Sequence, residues 1–151
     1  MSTNQPRKPA GLPTGGQWAP TAHDEADVDL GPVMTRFPDG TREWRQDSQL
    51  HRTDGPAIEE ADGTRLWYRH SKLHRTDGPA IELPDGTSEW YQRGQLHRTD
   101  GPAVERADGT RAWWQSDKLH RTDGPAIEWA DATKEWYENG EPRAPIDEPA
   151  T

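Results

Sequence analysis

Histidine, arginine and aspartate recur together at a fixed spacing, and they are the residues in this chain best suited to chemistry. The string Leu-His-Arg-Thr-Asp-Gly-Pro-Ala-Ile/Val-Glu begins at Leu50, Leu73, Leu96 and Leu119, with a period of 23 residues. An imidazole or a carboxylate can bind a metal ion or transfer protons, and a guanidinium can bind an anion. The candidate residues are His51, His74, His97 and His120; Arg52, Arg75, Arg98 and Arg121; and Asp54, Asp77, Asp100 and Asp123.

A second set of recurring residues indicates the elements that position these side chains. Asp-Gly-Thr recurs at 62–64, 85–87 and 108–110, and the same period carries Trp67, Trp90, Trp113 and Trp136. Asp-Gly, Gly-Pro and a second turn divide each unit into stretches of five or six residues, rich in β-branched and aromatic residues, that suit strands. Each unit has too few leucines for a leucine-rich repeat, and its turns argue against a helical hairpin. Each unit is therefore predicted to form one β-hairpin.

The predicted array occupies residues 31–140. A partial unit spans 31–49, full units span 50–72, 73–95 and 96–118, and a last unit spans 119–140. Residues 1–30 contain many Pro, Gly and polar residues and are predicted to be a disordered leader, and 141–151 a disordered tail. Pro142 replaces the repeat leucine. It is expected to end the array and protect its edge, since proline cannot donate a ladder hydrogen bond.

Charge pairing selects the register of the predicted hairpins. A two-residue Asp-Gly loop would place like charges opposite each other, for example Glu82 and Glu89. A three-residue loop, with a type I turn and a left-handed glycine, places opposite charges together: Glu59 with Arg65, Glu105 with Arg111, and Glu128 with Lys134. Such cross-strand pairs stabilise a sheet by roughly 0.2–1 kcal/mol each. The three-residue loop is therefore expected.

Two further expectations follow from this register. Each tryptophan faces a small residue of its own hairpin, as Trp67 faces Ala57. In the last unit Ala132 stands where the other units have glycine. A positive φ would cost an alanine about 1 kcal/mol, so this hairpin is expected to be looser.

The composition argues against a compact hydrophobic core. Leu, Ile, Val and Phe provide only 16 of 151 residues, whereas the chain has eight tryptophans; an ordinary folded domain has roughly 20% of these four residue types. Aromatic side chains bury ~150–250 Å² each and can stabilise a sheet along its length. We therefore predict an all-β fold, a single-layer, elongated antiparallel β-meander of stacked hairpins.

The tryptophan series has two interpretations. The indoles could pack the sheet, or they could form a half-exposed aromatic stripe that receives a partner, since a single layer cannot bury both faces. The predicted interaction face consists of Trp44, Trp67, Trp90, Trp113 and Trp136.

Spacing argues against a metal site and against catalysis. Equivalent residues of consecutive hairpins lie ~9.5 Å apart, too far for two imidazoles to share one ion at ~2.1 Å each. The chain has no cysteine and no Gly-x-Ser-x-Gly, phosphate-binding loop or His-Glu-x-x-His motif. We predict a non-enzyme with no catalytic residue, no metal ligand and no cofactor. The His and Arg side chains are expected to brace their loops, and each Asp to cap the following Gly-Pro turn.

The pattern Asp-Gly-Thr-x-x-Trp-Tyr-x-x-Gly-x-Leu-His-x-x-Asp-Gly-Pro-Ala resembles a variant of the MORN repeat and covers roughly 110 of 151 residues. The resemblance implies an elongated meander of stacked hairpins and indicates no activity. The family's second-turn glycine is kept at Gly94 and Gly140 but replaced by Ser48, Ser71 and Asp117 elsewhere. Similar arrays occur in bacterial, phage and giant-virus proteins. The leader motif Pro-x-Gly-x-Pro-x-Gly-Gly-Gln-Trp-Ala resembles one that precedes unrelated domains in high-GC bacteria.

The net charge and the hydropathy of the chain argue against several classes of partner and location. The net charge of −9 argues against a nucleic-acid partner and makes membrane association unexpected. No apolar run approaches the ~18 residues of a membrane span, and the N-terminus lacks a signal-peptide hydrophobic region, so a cytoplasmic protein is expected. We predict a repeat scaffold that mediates protein–protein interaction with an unknown partner protein. Two alternatives stay open: a membrane-surface module of MORN type, and a structural protein that self-associates edge to edge.

Overall fold

The computed structural model describes residues 31–145, and the expected leader (1–30) and most of the expected tail (146–151) lie outside this range. The described residues form nineteen short strands and no helix, and every strand pair is antiparallel. Since no helix is present in this range, none is long and apolar enough to cross a membrane. The all-β meander expected from the sequence is confirmed.

Eleven of the strands form one sheet in which successive hairpins lie side by side. Its path is β1-β2-β4-β5-β8-β9-β12-β13-β16-β17, and β3 pairs with β2. The strands are β1 (Val33–Arg36), β2 (Arg42–Gln46), β3 (Gln49–Leu50), β4 (Ile58–Glu59), β5 (Arg65–Leu66), β8 (Ile81–Glu82), β9 (Ser88–Glu89), β12 (Val104–Glu105), β13 (Arg111–Ala112), β16 (Ile127–Glu128) and β17 (Lys134–Glu135).

The other eight strands form a second row of four two-stranded hairpins. They are β6 (Tyr68–Arg69) with β7 (Lys72–Leu73), β10 (Tyr91–Gln92) with β11 (Gln95–Leu96), β14 (Trp114–Gln115) with β15 (Lys118–Leu119), and β18 (Tyr137–Glu138) with β19 (Glu141–Pro142). Each full unit therefore contributes two hairpins where the sequence led us to expect one. The chain leaves the main sheet at the repeat tryptophan, because the two residues after it pair with the last residue of their unit and the first residue of the next one.

The first turn of each unit has the expected three-residue geometry. Glu59 lies opposite Arg65, as the charge argument requires, and the equivalent pairs are Glu105 with Arg111 and Glu128 with Lys134. The Gly63 N–H donates to the Glu60 carbonyl at 3.0 Å, and Gly63 has a φ of 98°. The Thr64 N–H donates to Asp62 Oδ1 at 2.8 Å and holds the pKa of that carboxyl below its usual value. The register is confirmed.

The last unit adopts the same turn with alanine in the glycine position. Ala132 has a φ of 69°, and its N–H still donates to the Trp129 carbonyl at 3.0 Å. The left-handed conformation is therefore confirmed, and the strain lies in the backbone of Ala132 rather than in lost hydrogen bonds.

The second turn is a two-residue type I′ turn in which both central residues have positive φ. The five pairs are Asp47 and Ser48, His70 and Ser71, Arg93 and Gly94, Ser116 and Asp117, and Asn139 and Gly140. Type I′ turns match the right-handed twist of the flanking strands, which explains why the non-glycine residues accept this conformation. Four of the five turns also bond to the first residue of their own unit: the Ser71 N–H donates to the Leu50 carbonyl at 2.9 Å, and Gly94, Asp117 and Gly140 bond Leu73, Leu96 and Leu119 in the same way.

The core consists of small side chains distributed along the array. Ala57, Ala80, Ala103 and Ala126 are completely buried, and no large side chain among the described residues is. The backbone N–H of Trp67 donates to the carbonyl of Ala80 in the next unit at 2.8 Å, so its hydrogen-bond acceptor is not Ala57 of its own hairpin. The reason is that β5 pairs on its far side with β8. Each alanine is thus enclosed between consecutive units, where a larger side chain would not fit.

The array also extends beyond its expected end at residue 140, since Glu141–Pro142 form β19 and pair with β18. The expectation of a disordered tail from residue 141 is therefore wrong for these two residues. Proline is accepted here because the equivalent leucine uses its N–H for a bond to the type I′ turn that follows 21 residues later, as Leu96 does with Asp117 Oδ1 at 2.8 Å. The last described unit has no such neighbour in residues 31–145.

Candidate functional site: the arginine–tryptophan loops

Four arginines of the repeated loops lie over the indole rings of four tryptophans. The guanidinium carbon is 3.9–4.1 Å from the ring centroid in each pair: Arg52 over Trp44, Arg75 over Trp67, Arg98 over Trp90, and Arg121 over Trp113. This is the geometry of a cation–π contact. One face of these four indoles is therefore covered from within the chain.

A glycine covers the other face of each guanidinium. A Cβ placed on Gly78 would lie 2.8 Å from Arg75 Cζ, and one on Gly55 would lie 2.9 Å from Arg52 Cζ. Neither glycine has a positive φ. The glycine of the Asp-Gly-Pro-Ala string is thus required for close approach of the guanidinium, and not for a turn conformation. The sequence shows this glycine but gives no sign of the reason for it.

The guanidinium is fixed by three oxygen acceptors. Arg75 Nε donates to Asp77 Oδ1 at 3.0 Å, and its Nη1 donates to the Pro79 carbonyl at 3.1 Å and to Glu82 Oε1 at 2.9 Å. The hydrogen bond from Arg75 is the main reason that the pKa of Asp77 is below its usual value. The aspartate carboxylate therefore accepts a hydrogen bond from the arginine, whereas the sequence led us to expect that it caps the following Gly-Pro turn. Asp54, Asp100 and Asp123 make the same contact with their own arginines.

Each repeat histidine joins the start of its unit to the type I′ turn near the end of the same unit. Its Nδ1 accepts a hydrogen bond from the backbone N–H of the first residue of that turn, at 3.1–3.3 Å: His51 from His70, His74 from Arg93, His97 from Ser116, and His120 from Asn139. Only a neutral imidazole with its proton on Nε2 can accept this bond. The four imidazoles thus serve four separate contacts, one within each unit. Within residues 31–145, no three His, Cys, Asp or Glu side chains converge on a position that could hold a metal ion.

His74 differs from the other repeat histidines in its charged neighbours. Its pKa is below the usual value, first because the ring is partly buried and then because Arg69 and Arg93 lie nearby. At the start of the array, His51 instead packs against the ring of His70, with centroids 4.4 Å apart. From the sequence repeat alone, His51 and His74 would be expected to have the same surroundings.

Consecutive loops enclose three equivalent grooves, with volumes of about 440, 560 and 550 Å³ along the chain. In the middle groove, Arg75, Thr76 and Asp77 of one loop face the same residue types of the next loop, and Trp90 lies between them. The Asp77 side chain is 82% exposed, while the Arg75 side chain is 22% exposed. The groove therefore presents carboxylates and threonine hydroxyls to an incoming molecule more than free positive charge.

A further groove in the described residues is lined mainly by aliphatic and aromatic side chains. Tyr91, Val104, Trp114 and Ile127 line a shallow groove of about 230 Å³. Burial, followed by the nearby charge of Glu89 that accepts the phenol hydrogen at 3.0 Å, raises the pKa of Tyr91 to about 12. The side chains that line this groove are mostly apolar, and their arrangement suggests packing rather than a reaction.

The last tryptophan lacks the contact that covers the others. Ala144 occupies the position equivalent to the stacking arginine, and no guanidinium of residues 31–145 lies over the Trp136 ring. Arg143 takes the histidine position and donates through its side chain to Glu138 and to the Thr122 carbonyl. The five tryptophans of the expected interaction face are therefore not equivalent: a guanidinium covers four of them, and none from residues 31–145 covers the fifth.

No protein-family model and no curated protein matches this sequence. The arrangement of the loops is thus the basis on which a function has to be argued.

Proposed function

We propose that this chain is a non-enzymatic repeat scaffold of MORN-like type that binds an extended segment of a partner protein along its row of loop grooves. The observation that supports this best is the repetition of one groove three times with the same residue types. An extended chain can bind several identical grooves at once, and each added groove raises the overall affinity. Catalysis requires instead one asymmetric arrangement of groups.

The charges of the loops favour a protein partner over a nucleic acid. Each stacking arginine is already paired with carboxylates; Arg98, for example, contacts Asp100 at 2.9 Å and Glu105 at 3.1 Å. A phosphate would have to displace these carboxylates in a chain whose net charge is −9. Backbone amides and basic side chains of an extended peptide would instead meet exposed aspartates and threonines.

The experiment that tests this proposal blocks the grooves with large side chains and leaves the stacked arginines and tryptophans unchanged. Thr76 and Thr99 are exposed and line the grooves, so Thr76→Arg with Thr99→Arg should abolish capture of partner proteins from a lysate of the native host. The matched control, Ala61→Arg with Ala107→Arg, adds the same charge at exposed turn positions away from the grooves. Identical captured proteins for all three chains would refute the proposal.

A second candidate, self-association, is favoured by the first strand. Val33, Met34 and Phe37 are 66%, 49% and 39% exposed, and β1 has a partner on one side only within residues 31–145. Exposed edge strands with apolar residues pair readily with other chains. Sedimentation velocity of the wild type and of Met34→Lys over a range of concentrations tests this; a monomer at all concentrations would exclude it.

A further inference from the structure

The contacts between consecutive units show which residues bind to the edge that each unit presents to the next one. The segment that begins at Arg75 lies against the preceding unit through three contacts. The Arg75 guanidinium covers the Trp67 ring, and the Ala80 carbonyl accepts the backbone N–H of Trp67 at 2.8 Å. The third contact places Glu82 opposite Arg65. The same three contacts recur where the segment from Arg121 meets its preceding unit.

The last unit presents the same three groups, and none has a partner from a following unit within residues 31–145. Among these residues, no guanidinium lies over the Trp136 ring, and no carbonyl accepts the backbone N–H of Trp136. Lys134 takes the position at which Arg65 and Arg111 lie opposite glutamates of the next unit. β17 is also the last strand of the main sheet in the described part of the chain. This edge is therefore a copy of an interface that the chain forms internally several times.

We infer that this edge binds an extended segment of another protein with the pattern Arg-x-Asp-Gly-Pro-Ala-x-Glu, added as an antiparallel strand beside β17. The arginine of the bound segment covers the Trp136 ring, its alanine carbonyl accepts the backbone N–H of Trp136, and its glutamate pairs with Lys134. The glycine lets the guanidinium reach the indole, as Gly78 does within the chain. The inference deepens the proposed scaffold function and specifies the partner segment for one end.

A second copy of this chain does not supply such a segment at its free end. In β1, Arg36 takes the position of the pairing glutamate and Met34 that of the buried alanine, as the registers of the first two hairpins show. Head-to-tail stacking would therefore place Arg36 opposite Lys134, and like charges opposite each other destabilise a sheet. It would also force a methionine into a space that holds only an alanine elsewhere in the array.

Residues 144–151, which follow the last described unit in sequence, also lack the required groups. In the repeat register, Ala144, Pro149 and Thr151 take the positions of the arginine, the alanine and the glutamate. They offer neither the guanidinium nor the carboxylate that hold the internal segments. A separate protein that carries the repeat pattern is thus the occupant that fits.

The test uses the full chain and a fluorescent synthetic peptide, His-Arg-Thr-Asp-Gly-Pro-Ala-Ile-Glu-Leu, whose binding is followed by anisotropy. Changing the peptide arginine to alanine should weaken binding about fivefold, the value of a cation–π contact of about 1 kcal/mol. Lys134→Glu should weaken it about tenfold, and a peptide with lysine in place of its glutamate should restore binding to that variant. Lys72→Glu, the same charge change at an exposed site elsewhere, should leave binding unchanged.

Three results would overturn the inference. One is no binding of the peptide to the wild-type chain. Another is binding that Lys134→Glu does not alter. The third is a concentration-dependent dimer that the peptide dissociates, which would identify a second copy as the occupant. Loss of peptide binding would leave the groove experiment unaffected, so failure of the inference is distinguishable from failure of the proposed function.

Discussion

Replacing Gly78 with alanine tests the contact on which the loops depend. The new Cβ would lie 2.8 Å from Arg75 Cζ and 3.0 Å from its Nε and Nη2 atoms. Arg75 Cζ also lies 4.1 Å from the centroid of the Trp67 ring. A guanidinium that shifts to relieve the contact with the new Cβ therefore loses this stacking and the hydrogen bonds that depend on its position.

The cost of this displacement can be worked out from the lost contacts. Stacking on an indole contributes about 0.5–1 kcal/mol, and hydrogen bonds from a charged donor, here to Pro79 and Glu82, about 1.5–3 kcal/mol. The ion pair with Asp77 adds almost nothing, because that carboxylate is 82% exposed. Alanine returns about 0.4–1 kcal/mol by restricting the unfolded chain. We expect a net loss of about 2 kcal/mol in the free energy of unfolding.

Urea unfolding of four chains isolates the contact in a double-mutant cycle: the wild type, Gly78→Ala, Arg75→Ala and the double variant. Gly78→Ala should cost nothing, or stabilise slightly, once Arg75 is gone. Gly86→Ala is the control, since Gly86 has a φ of +93° and a Cβ added there would have no atom within 4 Å; it should cost about 1 kcal/mol with or without Arg75. An equal cost of Gly78→Ala in both backgrounds would refute the close-approach argument.

Three further predictions concern the last turn, a histidine and a tyrosine. Ala132→Gly should raise the free energy of unfolding by about 1 kcal/mol by relieving the positive φ, whereas Ala130→Gly should lower it, as urea denaturation would measure. Because the pKa of His74 is lowered on folding, its contribution to stability is present above pH 6.5 and is lost as the pH falls through the lowered pKa; unfolding midpoints between pH 8 and pH 5 should show a smaller loss for His74→Asn than for the wild type. The raised pKa of Tyr91 contributes stability that is present below pH 10 and is lost as the pH rises through about 12; ultraviolet titration should detect an earlier ionisation in Glu89→Gln, and an unchanged curve would contradict the role of Glu89.

The sequence by itself determined the order and register of the main sheet. The 23-residue period sets the succession of units, and Asp-Gly-Thr with the flanking charges sets the three-residue turn. It also determined the left-handed backbone of Ala132, since the aligned units have glycine there. These features depend on residues a few positions apart within one unit, and local pattern reasoning is sufficient for such features.

Only the tertiary structure decided which groups from different turns meet. It gave the second hairpin of each unit, the guanidinium close to both Gly78 and Trp67, the His74 imidazole that bonds Arg93 at the other end of its unit, and the Trp136 ring, over which no guanidinium of residues 31–145 lies. Each of these contacts joins residues from different turns whose distance and direction depend on how the sheet twists and how the units stack. A repeat shows that such contacts recur in every unit, but their partners are fixed by packing in three dimensions.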